Sequence, residues 1–332
     1  MTTAAAAVAA LALAAAPVAA SPDPPRTGGR GWETVCSTSA GPPHAERTVR
    51  LPAGAAAALL RSSPSYPGPC AEYGPALPLG AGTLRAYAQR EGGRPLALGF
   101  TFPAAALRDL PTAVGDGRHC FDRNEDGRFD LATECSVGHE HVLELPAGFR
   151  RHVDTPFSWG LVNWNPQGHI PIGVYNVPHF DFHFYLRPKA ESDAIRPGPC
   201  PALVNCEDYA RAKKPLPARH LPPDYVDVDA VEPAMGNHLV DSTSPELHHG
   251  GFTHTMLFGT YDARVTFLEP MITKAWFTGL REGTVRDACF PVKQPAAWRT
   301  AGWYPTSYCI NHRADRDEYR VALTGFVHRP AG

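Results

Sequence analysis

Residues 179–185 are His-Phe-Asp-Phe-His-Phe-Tyr, so aromatic side chains alternate with histidine and aspartate. Successive side chains of a β-strand point to opposite faces, which places His179, Asp181 and His183 on one face and three phenylalanines on the other. The phenylalanine face predicts packing against a core. Two imidazoles and a carboxylate are costly to bury unless a metal ion, a small ligand or a hydrogen-bond network satisfies them. This segment therefore predicts a buried strand that carries a polar site.

The rest of the chain favours short strands over long helices. Thirty-five prolines among 332 residues oppose long helices. Alternating runs at 83–88 and 95–102 flank a Gly-Gly turn and predict a β-hairpin, and the runs at 252–258 and 264–268 predict another. We therefore predict a mainly β fold, which is a single-domain β-sandwich or a barrel-like sheet with long loops and a few short helices.

The N-terminal segment has a different composition. An apolar run at 4–16, followed by small residues before Ser21, resembles a secretory signal peptide over residues 1–20, although no Lys or Arg precedes it. A disordered alanine-rich leader is the alternative. Residues 21–45 contain Pro, Gly and Ser with little periodicity and predict a flexible lead-in. The single β-rich domain is then expected over residues 46–330.

Cysteine usage also predicts export. Eight cysteines without a Cys-x-x-Cys pair favour disulfides formed in an oxidising compartment over a thiolate zinc site. Pairing each cysteine with its neighbour in sequence predicts the bonds Cys36–Cys70, Cys120–Cys135, Cys200–Cys206 and Cys289–Cys309. We therefore expect a secreted or periplasmic protein. A net charge of −2 gives no electrostatic basis for binding nucleic acid, and no segment is long and apolar enough to predict a membrane span.

Residues 120–135 contain a sequence that is typical of a calcium-binding loop. Side chains with oxygen ligands alternate, and Gly127 at the sixth position permits the sharp turn. Thr133 occupies the twelfth position, where glutamate is usual, and Glu134 follows it. A solvated Asp/Asn/Gly turn is the alternative, and a calcium site here is expected to be structural. The candidate calcium-binding residues are Asp122, Asn124, Asp126, Arg128, Asp130 and Glu134.

A transition-metal site requires residues from more than one strand. Residues i and i+4 of a strand lie about 13 Å apart, whereas i and i+2 lie about 6.6 Å apart and can share an ion. A straight strand therefore pairs Asp181 with one of its two histidines and needs further ligands from elsewhere. The candidate metal ligands are His179, Asp181, His183, His238, His254 and Glu269. Three such ligands with an open position suit zinc, manganese or iron. His169 lies in a Pro/Gly-rich turn and is interpreted as a turn residue, with a place in the lining of a pocket as the alternative.

The sequence supports several classes of function. It contains no Gly-x-Ser-x-Gly, phosphate-loop or dinucleotide motif to support serine-hydrolase or nucleotide chemistry. The leading hypothesis is an exported, disulfide-bonded β protein whose His/Asp/Glu site binds a divalent metal or a small ligand. One alternative is a metal-dependent lyase or hydrolase, cupin-like or carbonic-anhydrase-like, with Glu269 as general base and three metal ligands, His183, His238 and His254. The other is a structural or interaction protein without a metal.

Several segments resemble those of one protein family. They are WNPQGH at 164–169, YNVPHFDFHFY at 175–185, MGNH at 235–238, FTHT at 252–255, GTYD at 259–262 and FLEPMIT at 267–273. Together they resemble the DUF5602 family of uncharacterised exported bacterial proteins over about residues 80–275. The resemblance implies a β-rich, exported protein that forms a homo-oligomer. It implies no reaction, because none is established for the family.

Overall fold

The computed structural model describes residues 31–41 and 45–332 and is built mainly from short strands. In chain order the strands are β1 (Trp32–Thr38), β2 (Glu46–Pro52), β3 (Tyr66–Pro67), β4 (Glu72–Leu79), β5 (Gly82–Glu91), β6 (Arg94–Pro103), β7 (His139–Glu144), β8 (Trp159–Asn165), β9 (His179–Tyr185), β10 (Pro197–Cys200), β11 (Tyr225–Glu232), β12 (Gly236–Asp241), β13 (His254–Tyr261), β14 (Arg264–Thr273), β15 (Ala288–Pro291), β16 (Gly302–Tyr304), β17 (Ser307–Arg313), β18 (Glu318–Thr324) and β19 (Val327–Arg329). The mainly β prediction is confirmed.

Helices in the described part of the chain are short, as the proline content predicts. The α-helices are α1 (Ala53–Ser62), α2 (Ala147–His152), α3 (Lys189–Asp193), α4 (Cys206–Ala212) and α5 (Lys274–Glu282). Single 3₁₀ turns span Ala104–Leu107, Pro201–Leu203, Ala218–His220 and Pro245–Leu247. None of the helices within residues 31–41 and 45–332 is both long and apolar enough to cross a membrane.

Two large antiparallel sheets form the body of the protein. The seven-stranded sheet has the order β11-β12-β13-β14-β9-β8-β7, and the six-stranded sheet has the order β15-β17-β18-β6-β5-β4. A three-stranded sheet (β2-β1-β3) and a two-stranded sheet (β16-β19) contain the other described strands except β10, which forms only isolated bridges with Val204. Both predicted hairpins are present, as β5–β6 and β13–β14. The sheets stay open, so the sandwich and not the barrel-like alternative is the arrangement found.

Aromatic side chains join the two large sheets. Phe180, Phe182 and Phe184 of β9 are fully buried and meet Phe100 and Phe102 of β6 in the facing sheet. The ring centroids of Phe100 and Phe184 are 4.7 Å apart, and those of Phe102 and Phe180 are 5.8 Å apart. Burial of each phenylalanine contributes about 1.5–3 kcal/mol, so this face of β9 is a main source of core stability.

Four disulfides connect neighbouring segments of the chain. The bonds join Cys36 to Cys70, Cys120 to Cys135, Cys200 to Cys206 and Cys289 to Cys309, which confirms the predicted pairing. Four disulfides in one chain are typical of a protein from an oxidising compartment. They close short and medium loops, so they stabilise local segments more than they join the two large sheets.

Strand β1 lies inside the segment 21–45 that composition predicts as a flexible lead-in. It pairs along its length with β2, and its Cys36 is fully buried and bonded to Cys70. These long-range constraints cannot be read from local composition, which is why the strand is missed. The predicted signal peptide, residues 1–20, lies outside the described residues, as do the lead-in positions 21–30 and 42–44.

Candidate metal centre

The polar face of β9 points away from the phenylalanine core, as its alternation predicts. Strand β9 lies between β14 and β8, and Asp181 stands beside Met271 of one neighbour and Asn163 of the other. His179, Asp181 and His183 are nevertheless all buried, with at most 5% of the surface exposed. The sheet is therefore covered on both faces, and its polar residues lie in a low-dielectric environment where each needs a partner.

The loop between β8 and β9 covers part of this face. Its Tyr175 packs against Val240, Leu257 and Met271 of the sheet. Gly168 has a φ of +69°, and a Cβ atom there would collide with the carbonyl oxygen of Tyr175. Glycine therefore permits the tight return of the loop, which brings the next residue, His169, over the sheet.

His183, His238 and Glu269 form one cluster, which we call the Glu269 group. They come from β9, β12 and β14, and one ligand atom of each lies within 4.8 Å of the other two. Glu269 Oε1 is 3.3 Å from His183 Nε2, and its Oε2 is 3.8 Å from His238 Nε2. Ligand atoms around one tetrahedral zinc ion are roughly 3.4 Å apart, so only a small contraction would bring these atoms to bonding distance.

Hydrogen bonding directs a free lone pair of His238 toward Glu269. His238 Nδ1 is 2.9 Å from the carbonyl oxygen of Ala230, which can only accept, so Nδ1 carries a proton and the neutral ring has its lone pair on Nε2. Metal-binding histidines are commonly oriented by such a backbone bond. Among the described residues, His183 Nε2 and Glu269 Oε2 each lack a hydrogen-bond partner.

His169, His179 and Asp181 form a second cluster, the Asp181 group, whose ligand atoms also lie within 4.8 Å of one another. Asp181 Oδ1 is 3.1 Å from His179 Nε2, and Oδ2 is 3.6 Å from His169 Nε2. Both histidines place Nδ1 against a backbone carbonyl, at 2.7 Å for His179 and 2.8 Å for His169. Asn165 donates to Asp181 Oδ2 at 2.6 Å, so this cluster has a polar partner from the protein.

Protonation differs between the two groups. Burial, with repulsion from Asp181 and Glu232, raises the pKa of Glu269 well above its usual range. Burial lowers the pKa of His183 to about 3. Glu269 and His183 are therefore both neutral at pH 7 when no cation lies between them. A bound cation would reverse this preference at Glu269, because it favours the carboxylate.

The Asp181 group forms an ion pair instead. Burial opposes charge on His169, but the hydrogen bond and charge of Asp181 outweigh it and raise the pKa of His169 to about 9. Burial also opposes charge on Asp181, but His179 and His169 lower its pKa well below the usual range. A proton thus balances the charge of this cluster, although Asp181 Oδ1 has no hydrogen-bond partner among the described residues.

Both groups face one small cavity. Its volume is 60 Å³, and its lining includes His169, Asp181, His183, His238 and Glu269. Apolar side chains complete the wall, including those of Val231, Met235 and Leu257. A water molecule needs about 10–15 Å³ of cavity volume. The cavity therefore has room for a metal ion with a few water-sized ligands and not for a large substrate.

The structure places five of the six predicted metal ligands in these two groups, but His254 lies elsewhere. His254 is on the face of β13 that contacts the six-stranded sheet, where its ring stacks on Phe290 with centroids 3.8 Å apart and Nδ1 is 2.9 Å from Tyr308 Oη. The ligand set His183, His238 and His254 is therefore not assembled. Glu269 lies between His183 and His238 instead, with its carboxylate oxygens 3.3 and 3.8 Å from their Nε2 atoms.

His169 lies in its turn and also lines the small cavity, as a member of the Asp181 group, because Gly168 returns the loop over the sheet. Asn165 has no candidate role in the sequence analysis. Asn165 is paired with His179 in the β8–β9 register, so its amide meets the carboxylate of Asp181. A buried asparagine next to an extended His-x-Asp strand is a signal that could have identified this position.

The calcium-like loop uses several of its oxygens on its own backbone. Asp122 accepts from the amides of Asp126 and Gly127, and Glu134 accepts from the amides of Arg123, Asn124 and Asp130. Further side-chain bonds within the loop involve Asn124, Asp126, Arg128 and Asp130. Cys120 and Cys135 close its base. Calcium binding at this loop stays a prediction.

Comparison with known proteins gives no family assignment. No protein-family model, no curated protein and no solved structure matches the chain. The two polar groups and their shared cavity must therefore carry the functional argument, and the family resemblance of the sequence stays a prediction.

Proposed function

We propose that the Glu269 group binds one divalent transition-metal ion, zinc, manganese or iron, through His183, His238 and Glu269. One observation carries this proposal. Buried nitrogen and oxygen atoms from three strands converge within 4.8 Å, and no donor from the described residues meets His183 Nε2 or Glu269 Oε2. Two imidazoles with one carboxylate are a common ligand set for such ions.

The cost of leaving these atoms unpaired supports the proposal. A buried polar group without a partner costs about 1–3 kcal/mol, and this group contains several such atoms. A cation would accept the lone pairs of both histidines and neutralise the carboxylate at once. In the Asp181 group His169 is protonated and Asn165 donates to Oδ2, which leaves Asp181 Oδ1 as the carboxylate oxygen without a hydrogen bond among the described residues. Because its charges are already balanced, this group is the weaker metal site of the two.

Metal analysis tests the assignment. We would purify the mature protein without chelator and measure zinc, manganese, iron and calcium in wild type, His183→Ala and His141→Ala. His141 lies on β7 of the same sheet but outside both groups, so it is the matched control. We expect about one transition metal per chain in wild type and His141→Ala, and none in His183→Ala. Absence of metal in wild type, with no stabilisation by added zinc, manganese or iron, would refute the proposal.

Hydrolysis or a lyase reaction by a metal-bound water is the second candidate function. Three protein ligands would leave a coordination position for water, and the ionised carboxylate of Asp181 lines the same cavity, where it can accept a hydrogen bond from that water. The test measures ester hydrolysis and carbon dioxide hydration by the metal-loaded protein. Asp181→Asn should lose turnover and keep the metal. If neither reaction exceeds the rate of free metal, this candidate fails and the metal-binding role stands.

Export and self-association remain part of the proposal. The four disulfides support a secreted or periplasmic protein. The motif resemblance to the exported DUF5602 family supports the same location and a homo-oligomer. Light scattering of the purified protein measures the oligomer directly, and a monomer at all concentrations would remove that part. A structural or interaction protein without a metal is the conclusion if both metal experiments fail.

A further inference from the structure

A second cavity, which we call the arginine cavity, lies apart from the metal centre. Its volume is 520 Å³, and it shares no lining residue with the smaller cavity. The segment after β9, the β13–β14 turn and the chain at 297–300 form its wall. Its size falls within the range of about 300–1,000 Å³ that is usual for small-molecule sites.

The charges along this wall are mostly positive. Arg187, Arg211, Arg264 and Arg299 all line the cavity, and the acidic residues that line it are Glu191 and Asp262. Asp262 is already paired with Lys214 at 2.6 Å. Neither Arg264 nor Arg299 forms an ion pair or a side-chain hydrogen bond with another described residue, so their charges face the cavity region uncompensated.

Buried donors on the same wall have no acceptor. Arg187 Nε, Thr266 Oγ1 and Trp298 Nε1 are each buried without a hydrogen-bond partner among the described residues. The side chain of Arg187 is only 10% exposed, its Nη2 donates to the carbonyl oxygen of Glu191, and the nearest carboxylate oxygen, Glu191 Oε2, is 3.9 Å from Nε. None of these three atoms is open to the cavity, so a ligand would be attracted by the charge of the arginines and not by these donors.

Aromatic packing holds the central arginines in place. The guanidinium carbons of Arg187 and Arg211 each lie 5.1 Å from the centroid of the Tyr261 ring. Burial lowers the pKa of Arg187, which indicates the cost of keeping this cation away from water. An anion beside Arg187 would offset that cost, and a guanidinium presents paired donors that match an oxyanion.

We propose that the arginine cavity binds a small oxyanion, the carboxylate or phosphate group of a small molecule, through Arg187 with help from Arg264 and Arg299. The site is independent of the metal proposal, because the two cavities are separate. Its two signs are the excess of arginine along the wall and the lack of any ion pair at Arg264 and Arg299 within the described residues.

Calorimetric titration with inorganic phosphate and with citrate tests this site at low and at high salt. Phosphate binding assigns a phosphate group, and citrate binding assigns a carboxylate. We expect Arg187→Gln to abolish binding of the anion. Arg264 and Arg299 are exposed, and Arg264→Gln and Arg299→Gln should each raise the Kd for the anion about tenfold. The control is Arg85→Gln, because Arg85 also lies over a tyrosine ring, at 4.4 Å from the Tyr73 centroid, but on the other large sheet.

Three results would overturn the proposal. The first is no heat of binding with either anion in wild type. The second is a loss of affinity in Arg85→Gln equal to that in the cavity variants. The third is unchanged affinity in both Arg264→Gln and Arg299→Gln. Because the last two arginines are exposed, their variants decide the matter even if Arg187→Gln does not fold. The titration is repeated on protein stripped with a chelator, since anions also bind metals. Unchanged affinity supports the arginine cavity, and lost affinity assigns the anion to the metal and refutes it.

Discussion

Replacement of Glu269 by methionine should change stability in opposite directions with and without metal. In metal-free protein the substitution removes a buried carboxyl group whose Oε2 has no partner among the described residues. Replacing such a group with an apolar side chain of similar size is neutral or stabilising, here by up to about 2 kcal/mol. In metal-saturated protein the same substitution removes a ligand, so the stabilisation by metal should be lost.

The size of the metal effect follows from linkage. An ion at 100 times its Kd stabilises the folded state by about 2.7 kcal/mol, because it binds only that state. For a chain of this length that corresponds to a rise in Tm of roughly 4 °C. Wild type should show this rise with zinc, manganese or iron, and Glu269→Met should not. Thermal and denaturant unfolding, each with metal and with chelator, measure both effects.

The control for this experiment is Glu318→Met. Glu318 is also buried, and its Oε1 also lacks a partner among the described residues, but it lies on β18 of the six-stranded sheet. Its replacement should leave the rise in Tm with metal unchanged. The reasoning is refuted if Glu269→Met strongly destabilises the metal-free protein, or if metal raises the Tm of Glu269→Met as much as that of wild type.

Three further predictions concern other polar residues. His238→Ala should remove the bound transition metal, whereas His169→Ala should leave about one per chain, as elemental analysis will show. Burial lowers the pKa of His254 to about 4. Between pH 6.5 and 4 the unfolded state therefore binds a proton at this residue that the folded state does not bind, so wild type loses stability as the pH falls. Because this ring is half-buried, we expect a loss of up to about 2 kcal/mol, with a shallower pH slope for His254→Phe in denaturant unfolding. Calcium should raise the Tm of wild type and not of Asp126→Ala, and equal curves would leave the loop at 120–135 as a solvated turn.

The sequence was most informative where the two faces of a strand differ in chemistry. In β9 all of the phenylalanines fall on one parity and the histidines and aspartate on the other, so the core and the site could both be predicted. The distance rule for strands also anticipated that His179 and His183 would not share an ion, and they belong to different groups. Helix α5 was missed, although Thr273 caps its start and Gly283, with a φ of 74°, ends it.

His254 shows where this kind of inference stops. The seven-stranded sheet is covered on both faces, so Thr255, Met256, Leu257 and Phe258 are all buried and β13 shows little polar alternation. Periodicity then gives no indication of which face a histidine joins. His254 shares the parity of Met256 and Phe258, which face the core. The same limit applies to His238, whose position depends on the pairing of β12 with β11 and β13. Which of the two histidines reaches Glu269 is thus decided by register, a property of the whole sheet that no single strand encodes.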